Sequence, residues 1–281
     1  YVTKASGEKQ VYDASKLRKS LANAGAQKEV IQEISKSVEE MLFEGISTKK
    51  IYKEAFRLLK SASQKSAITY KLKEAILELG PTGFPFEKFV AELLNRMGYQ
   101  TEVGVFVKGE CVTHEIDVLA SKDSEHFMIE CKFHNRKENT CNVKVPLYIQ
   151  SRFLDVKKSW TSLPGHQYKA HTGWIVTNTR FTSDAEQYGE CVGLKLLSWD
   201  YPANNGLKDL ITRVGLHPIT SLSSLNKQEK EILLAMDVIF CTQLYENPDH
   251  LNKIGMDSRK AAKVRQEVSA ICNSNSINHE T

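Results

Sequence analysis

Asp117, Glu130 and Lys132 have the types and spacing suited to breaking a phosphodiester bond. Asp117 lies in the apolar run Ile116-Asp117-Val118-Leu119-Ala120, and the other two lie in Met128-Ile129-Glu130-Cys131-Lys132-Phe133. Both runs read as short strands. Strand side chains alternate, so Glu130 and Lys132 share one face while Ile129, Cys131 and Phe133 share the other. The polar stretch Ser121-Lys122-Asp123-Ser124-Glu125 lets the second strand return antiparallel, which brings Asp117 towards Glu130. Two carboxylates and an amine on one surface can hold a divalent cation and position a water for attack on phosphate.

Acid-x-Lys is a loose pattern. Its second occurrence, Asp155-Val156-Lys157, follows a stretch that reads as helix. An exposed sheet face with a cross-strand ion pair explains the spacing about equally well. The surroundings favour the chemical reading. Upstream, Phe86, Phe89, Val90, Leu93, Leu94 and Met97 recur at three- and four-residue intervals, the mark of one helix face, and Gly98 stops it. Glu87 sits at the margin of that face, either pointing to the sheet or serving as an ordinary first-turn acid.

In order, Phe86-Glu87-x-x-Val90-x-x-Leu93-Leu94-x-x-x-Gly98-Tyr99, Glu115-Ile116-Asp117 and Glu130-Cys131-Lys132 resemble the Mrr-type restriction endonucleases of the PD-(D/E)xK nuclease superfamily. Trp174 to Phe181 and Leu194 to Trp199 resemble that family's closing strands, with Ser183-Asp184-Ala185 opening a helix between them. The resemblance covers residues 81–205 and implies a mixed sheet flanked by helices. It makes Asp117 and Glu130 the carboxylates for Mg²⁺ or Mn²⁺, with Cys131 in the same metal set. Lys132 would orient the attacking water and offset charge on the phosphate. Glu87 matches the family's helix acid and Gln150 its helix glutamine. Glu115 stands where many relatives have a small residue. It shares a face with Asp117, as an added ligand or as rim, while His114 faces the other way as a packed or surface histidine.

Residues 1–80 read as a separate, mostly helical unit. The strands Tyr1–Lys4 and Gln10–Tyr12 flank the turn Ala5-Ser6-Gly7-Glu8. Helices are predicted over Ala14–Ala24, Val30–Leu42, Thr48–Leu59 and Ser66–Leu79, with Asp13 and Thr48 as N-caps. By charge alone Lys4, Lys9 and Lys16 are solubilising residues. Their order, Val2-Thr3-Lys4-x-x-Gly7-x-x-x-x-Tyr12-Asp13-x-x-Lys16-Leu17, is similar to the opening of the ATP-cone domain. Gly45-Ile46-Ser47-Thr48-x-x-Ile51-Tyr52 and Ala67-x-x-Tyr70 match its later helices. The resemblance implies ATP or dATP as a regulatory ligand. Lys4 and Lys16 would meet phosphates around the Gly7 turn, and Gln10, Thr48 and Tyr52 would surround base or ribose. No Walker-type loop suggests an ATPase motor.

After the turn-rich Tyr201–Gly206, residues 206–281 read as a small all-α domain. Leu234–Phe240 followed by Leu251–Val264 resembles a helix-hairpin-helix, in which Gly255 presents backbone N–H groups to a DNA phosphate. Arg259, Lys260 and Lys263 would be its further contacts. Asp257 stands where a second glycine is usual and would repel phosphate, so a packing or dimerisation bundle is an equal alternative.

Length and composition set the frame. A chain of 281 residues suggests two domains and a small third, here multi-domain α+β and α/β. The net charge of +4 is too mild to signal nucleic acid by itself. Six cysteines without a C-x-x-C pair suit a reducing cytoplasm, with Cys111, Cys131 and Cys241 as small core residues. No run reaches the roughly eighteen apolar residues of a membrane span. The start Tyr1-Val2-Thr3-Lys4 is not a signal peptide, and its lack of Met suggests a trimmed chain. The expectation is a nucleotide-regulated, metal-dependent DNA endonuclease for restriction or defence, working as a homodimer or larger homo-oligomer. The alternative is a nucleotide-responsive DNA-binding regulator that keeps the nuclease fold and cuts little.

Overall fold

The computed structural model describes residues 1–4, 7–162 and 170–272. They form two compact units. The first comprises Tyr1–Glu74, Ser221–Leu225 and Leu244–Thr281, and the second Ala75–Thr220 and Asn226–Gln243.

The first unit begins with β1 (Val2–Thr3) and β2 (Lys9–Gln10), then α1 (Ala14–Asn23), α2 (Lys28–Glu40), β3 (Ile46–Ser47), α3 (Thr48–Ala62) and α4 (Gln64–Tyr70). Its small sheet has the order β2-β1-β3, with β1 antiparallel to β2 and parallel to β3. Leu17, Leu21, Ile34, Val38, Ile51, Ala55 and Leu59 recur at helical spacing and close one apolar core with Val2 and Ile46. Asp13 caps α1 as expected, accepting the Ser15 N–H at 3.0 Å. The cap of α3 is Ser47, which accepts the Lys50 N–H at 3.2 Å, so Thr48 is the first helical residue and not the N-cap. Ala5 and Ser6, half of the expected turn, lie outside the described residues, as does the end of the expected C-terminal helical run beyond residue 272.

The predicted helix over Ser66–Leu79 is two helices, α4 and α5 (Leu72–Leu77), separated at Lys71. The second unit continues with α6 (Phe84–Arg96), β4 (Gln100–Lys108), β5 (Thr113–Lys122), β6 (Glu125–Lys132), β7 (Thr140–Cys141) and α7 (Lys144–Thr161). β8 (Ala170–Thr177), β9 (Arg180–Phe181), α8 (Ser183–Cys191), β10 (Lys195–Leu197), α9 (Leu207–Val214) and α10 (Lys227–Ala235) complete it. Five strands form a mixed sheet of order β10-β8-β6-β5-β4, antiparallel across β4, β5 and β6 and parallel across β6, β8 and β10. One face is covered by α6, whose Phe86 meets Phe133 at 5.7 Å between ring centroids. Gly98 ends that helix with φ +85°. On the other face Ile149, Phe153, Val156 and Trp160 of α7 and Ala185 of α8 pack with Met128 and Ile175.

The C-terminal stretch is helical, with Asn226–Gln243 in the second unit and Ser221–Leu225 and the residues from Leu244 in the first. Within the second unit Lys230 reaches Glu78 at 2.8 Å, Lys88 pairs with Asp237 and Phe240 packs on Phe89. Helix α10 closes at Ala235 because Asp237 takes φ +64° and Val238 N–H returns to the Leu233 carbonyl. Met236 to Phe240 is therefore not helical, and Phe240 bridges to Pro218. The remaining helices are α11 (Cys241–Glu246), α12 (Asp249–Lys253) and α13 (Ser258–Cys272), the last packed on α4 within the first unit. All six cysteines are free thiols. Cys131, Cys141 and Cys241 are buried, whereas Cys111, expected in the core, is exposed at the β4–β5 turn. Among the described residues no helix is long and apolar enough to cross a membrane.

One buried carboxylate organises the first unit. Glu267 of α13 is 4% exposed and accepts the N–H and hydroxyl of Ser223 at 2.9 and 2.7 Å, and those of Ser224 at 2.9 and 2.5 Å. Burial pushes its pKa up, but the Ser224 and Ser223 donors outweigh burial and leave it lowered. A lowered folded pKa contributes stability above the unfolded value, about 4.3, that is lost as pH falls through the folded value. Glu267→Gln turns an amide against two donors and should cost about 1–3 kcal/mol at neutral pH. Urea unfolding from pH 7 down to pH 3 checks this: the wild-type advantage should shrink once pH drops below about 4.

Candidate active site

The site is built on the β5–β6 hairpin. Its ladder runs from Lys122↔Glu125 to Val118↔Ile129. The expected five-residue turn contracts to Asp123 and Ser124, with Asp123 at φ +53°, the left-handed backbone that a two-residue hairpin needs. Beyond Val118 the backbone pairing stops, and the Asp117 side chain takes over: its Oδ2 accepts the Cys131 N–H at 2.7 Å. By register, Asp117, Glu130 and Lys132 share the sheet face of Leu119 and Met128. The far side of β6 is secured by β8, where Thr177 donates its hydroxyl to the Lys132 carbonyl at 2.7 Å.

Glu130 is 5% exposed and both of its oxygens are engaged. Lys132 Nζ lies 2.5 Å from Oε1, and Arg152 Nη1 lies 2.5 Å from Oε2. Arg152 also donates through Nη2 to the Glu115 carbonyl and sits 5.5 Å over the exposed Tyr148 ring. Sequence spacing held no sign of Arg152, which reaches a strand carboxylate from α7. The expected helix residue, Gln150, is two positions away and points elsewhere on a helix. Its Oε1 is buried and has no hydrogen-bond partner.

Negative charge is crowded here. Burial, then the charge of Glu130, raises the Asp117 pKa to about 6, against the opposing Cys131 N–H, Lys132 and Arg152. Burial, then Asp117, Glu115 and Glu130, raises Glu87 in the first turn of α6 to about 7. Burial works against the Lys132 charge, but the hydrogen bond and charge of Glu130 prevail and raise its pKa, so it stays an ammonium. The Cys131 thiol is buried on the opposite face and pushed well up, which leaves its backbone as the part directed at Asp117. Glu115 is exposed, and its charge reaches Glu87.

The second acid-x-Lys has a different job. Asp155 accepts the N–H groups of Cys111 and Val112 at 2.8 and 3.3 Å and meets His114 Nε2 at 2.8 Å. The His114 contact, then the Cys111 N–H, pulls its carboxyl far below the usual range. It anchors the β4–β5 turn to α7, and His114 is thereby a partly buried hydrogen-bond partner of Asp155.

The remaining candidates are dispersed. In the first unit Lys4 pairs with Glu8 at 2.9 Å, Lys16 stands 3.9 Å from Asp13, Gly7 takes φ +85° and Gln10 lies opposite Val2. Thr48 opens α3. Tyr52 stacks on Tyr70 at 4.7 Å and donates its hydroxyl to the Tyr70 carbonyl at 3.2 Å, so its ring is spent on packing α3 against α4. Two clefts of this unit, around Ser35 and around Tyr12 and Phe43, include none of these six residues. In the C-terminal hairpin Gly255 has φ +72° between α12 and α13, and Arg259, Lys260 and Lys263 lie on α13. Asp257 accepts the Lys260 N–H at 2.9 Å, filling with its own carboxylate the place a phosphate would need.

Residues 80–201, which contain the helix-flanked mixed sheet and the hairpin carrying Asp117, Glu130 and Lys132, match the Mrr catalytic family, Restriction endonuclease. Residues 217–272 match the family AF1548-like, C-terminal. An uncharacterized protein of Archaeoglobus fulgidus is 38% identical over 183 residues, 65% of this chain and 99% of the relative. The crystal structure of AF1548, a protein of unknown function, has 36% identity and a TM-score of 0.56, covering 68% of this chain and 100% of that one. The chain belongs to the AF1548-like family.

The raised Asp117 pKa carries a stability cost. An acid whose folded pKa lies above its unfolded value of 3.8 destabilises the fold as pH climbs from about 4 to about 6, and the cost is complete above that. Asp117→Asn keeps an acceptor for the Cys131 N–H and removes the repulsion. It should gain about 1–2 kcal/mol at pH 8 without added divalent metal and nothing at pH 3.5. Denaturant midpoints at the two pH values measure it.

Proposed function

We propose that the chain is a divalent-metal-dependent endodeoxyribonuclease acting through Asp117, Glu130 and Lys132. The carrying observation is that Asp117 and Glu130 flank the open end of the β5–β6 hairpin with Lys132 Nζ 2.5 Å from Glu130, inside the segment matched to restriction endonucleases.

The donor chemistry fits Mg²⁺ or Mn²⁺. Acids raised first by burial and then by one another's charge are relieved by a cation. Asp117 and Glu130 offer carboxylate oxygens, the hard donors that Mg²⁺ and Mn²⁺ take. Asp117 and Glu130 would hold it with the Cys131 backbone, and when bound it supplies Lewis acidity toward phosphate and water. Lys132, protonated, donates to the attacking water or to the phosphate oxygen that gains charge. Glu87 adds carboxylate charge from α6. Water oxygen bonds to phosphorus as the bond to the leaving sugar oxygen breaks, the water's proton passing to bulk solvent and the leaving oxygen taking one from it.

The finer assignments belong to the same proposal. Residues 1–80 act as an ATP-cone, 81–205 as the nuclease and 206–281 as the helical docking region. The parallel pairing of β1 with β3 ends at Thr3↔Ser47, one residue before Lys4 on one strand and before the start of α3 on the other, which supports ATP or dATP phosphates binding near that helix start. Arg259, Lys260 and Lys263 contact DNA backbone from α13 in a cytoplasmic homodimer serving restriction or defence. One observation favours the second reading, a nucleotide-responsive DNA-binding regulator: both Glu130 oxygens are already bonded by the chain's own cations.

Supercoiled plasmid with Mg²⁺ or Mn²⁺, with and without ATP or dATP, decides between them. The intact chain should nick or linearise it, and Asp117→Ala and Lys132→Ala should each lose at least about a hundredfold in rate. A nucleotide-dependent rate assigns residues 1–80. If plasmid, modified and branched DNA all survive the intact chain, the regulatory reading replaces the nuclease.

A further inference from the structure

We infer that Arg152 is a positioning residue that holds the Glu130 carboxylate when no metal is bound and competes with the cation for it. The inference rests on the nuclease reading above.

Glu130 is buried and accepts from two cations, one per oxygen. Lys132 comes from the same strand and has a role in attack. Arg152 comes from α7, is permanently charged and occupies Oε2, on the carboxylate that a metal between Asp117 and Glu130 must share. Two positive charges on one buried carboxylate oxygen repel, so metal entry weakens the Arg152 bond and that bond weakens metal binding. Removing the guanidinium with nothing in its place would strand a buried charge, so the exchange is coupled: cation in, guanidinium out.

The guanidinium is held by more than Glu130. Its second nitrogen donates to the Glu115 carbonyl, and its Cζ lies 5.5 Å from the centre of the Tyr148 ring. Tyr148 is 60% exposed, so these contacts place the guanidinium beside the solvent edge of the site. A planar fork released there is matched to a phosphodiester, which accepts two parallel N–H bonds. Arg152 thus reports DNA and metal to each other. Without metal it neutralises Glu130, and with metal it is free to meet the substrate backbone.

The test is Mn²⁺ binding to the full chain without DNA, read by the free-ion electron paramagnetic resonance signal. Arg152→Gln should bind Mn²⁺ about tenfold more tightly than wild type, the reverse of what loss of a structural support would do. Arg152→Lys keeps the charge and should stay within about threefold of wild type. Arg152→Met removes the charge and the fork while keeping the apolar stem, and should tighten Mn²⁺ binding as Arg152→Gln does. Should Arg152→Gln not fold, the Arg152→Met result decides. Equal or weaker binding by the folded variant overturns the competition. If Asp117→Ala abolishes Mn²⁺ binding but Arg152→Gln does not tighten it, only this inference falls. If binding is absent or insensitive to Asp117 in every variant, the nuclease reading falls with it.

Discussion

The site exists because a backbone ladder stops one residue early. After Val118↔Ile129 the two strands no longer exchange main-chain hydrogen bonds, and Asp117 Oδ2 accepts the Cys131 N–H instead. A side chain standing in for a carbonyl satisfies the amide and holds the strands apart at one end. That opening lets Asp117 and Glu130 face the same space. β8 seals the other side of β6, so the splay is confined to the hairpin mouth.

The consequence of the opening is a charge problem, and the surrounding elements answer it. α6 adds Glu87 and deepens the negative potential, while α7 adds Arg152 and relieves it at Glu130. Lys132 sits between the two tendencies and is held charged by its neighbours. Buried acids forced above their ordinary pKa store free energy that a cation or a substrate can release. Stability is given up at this one place and recovered in the two apolar cores.

What could be read from the sequence was what is local. The helix over Phe86–Leu94, the two strands and the shared face of Glu130 and Lys132 follow from periodicity, which the chain obeys wherever one side of an element is buried. Boundaries were read less well: Lys71 divides a predicted helix, and Asp237 ends another through a left-handed residue that hydropathy does not register. Arg152 and Glu267 were invisible because their partners come from elements that only tertiary packing brings near. Gln150 illustrates the converse. It lies on the expected helix, yet 3.6 residues per turn carry position 152, not 150, to Glu130. The C-terminal stretch looked like one piece, but its residues are divided between the two units.

The hairpin also orders events during folding. Asp117 and Cys131 are 14 residues apart, joined by a two-residue turn, so closing that loop costs little chain entropy. Arg152 reaches Glu130 from 22 residues beyond, through a helix that must first dock on the sheet. Glu130 and Asp117 are therefore expected to meet before their arginine counterion arrives. The half of the site that attracts a cation is thus local in sequence, and the half that repels one depends on the docking of α7.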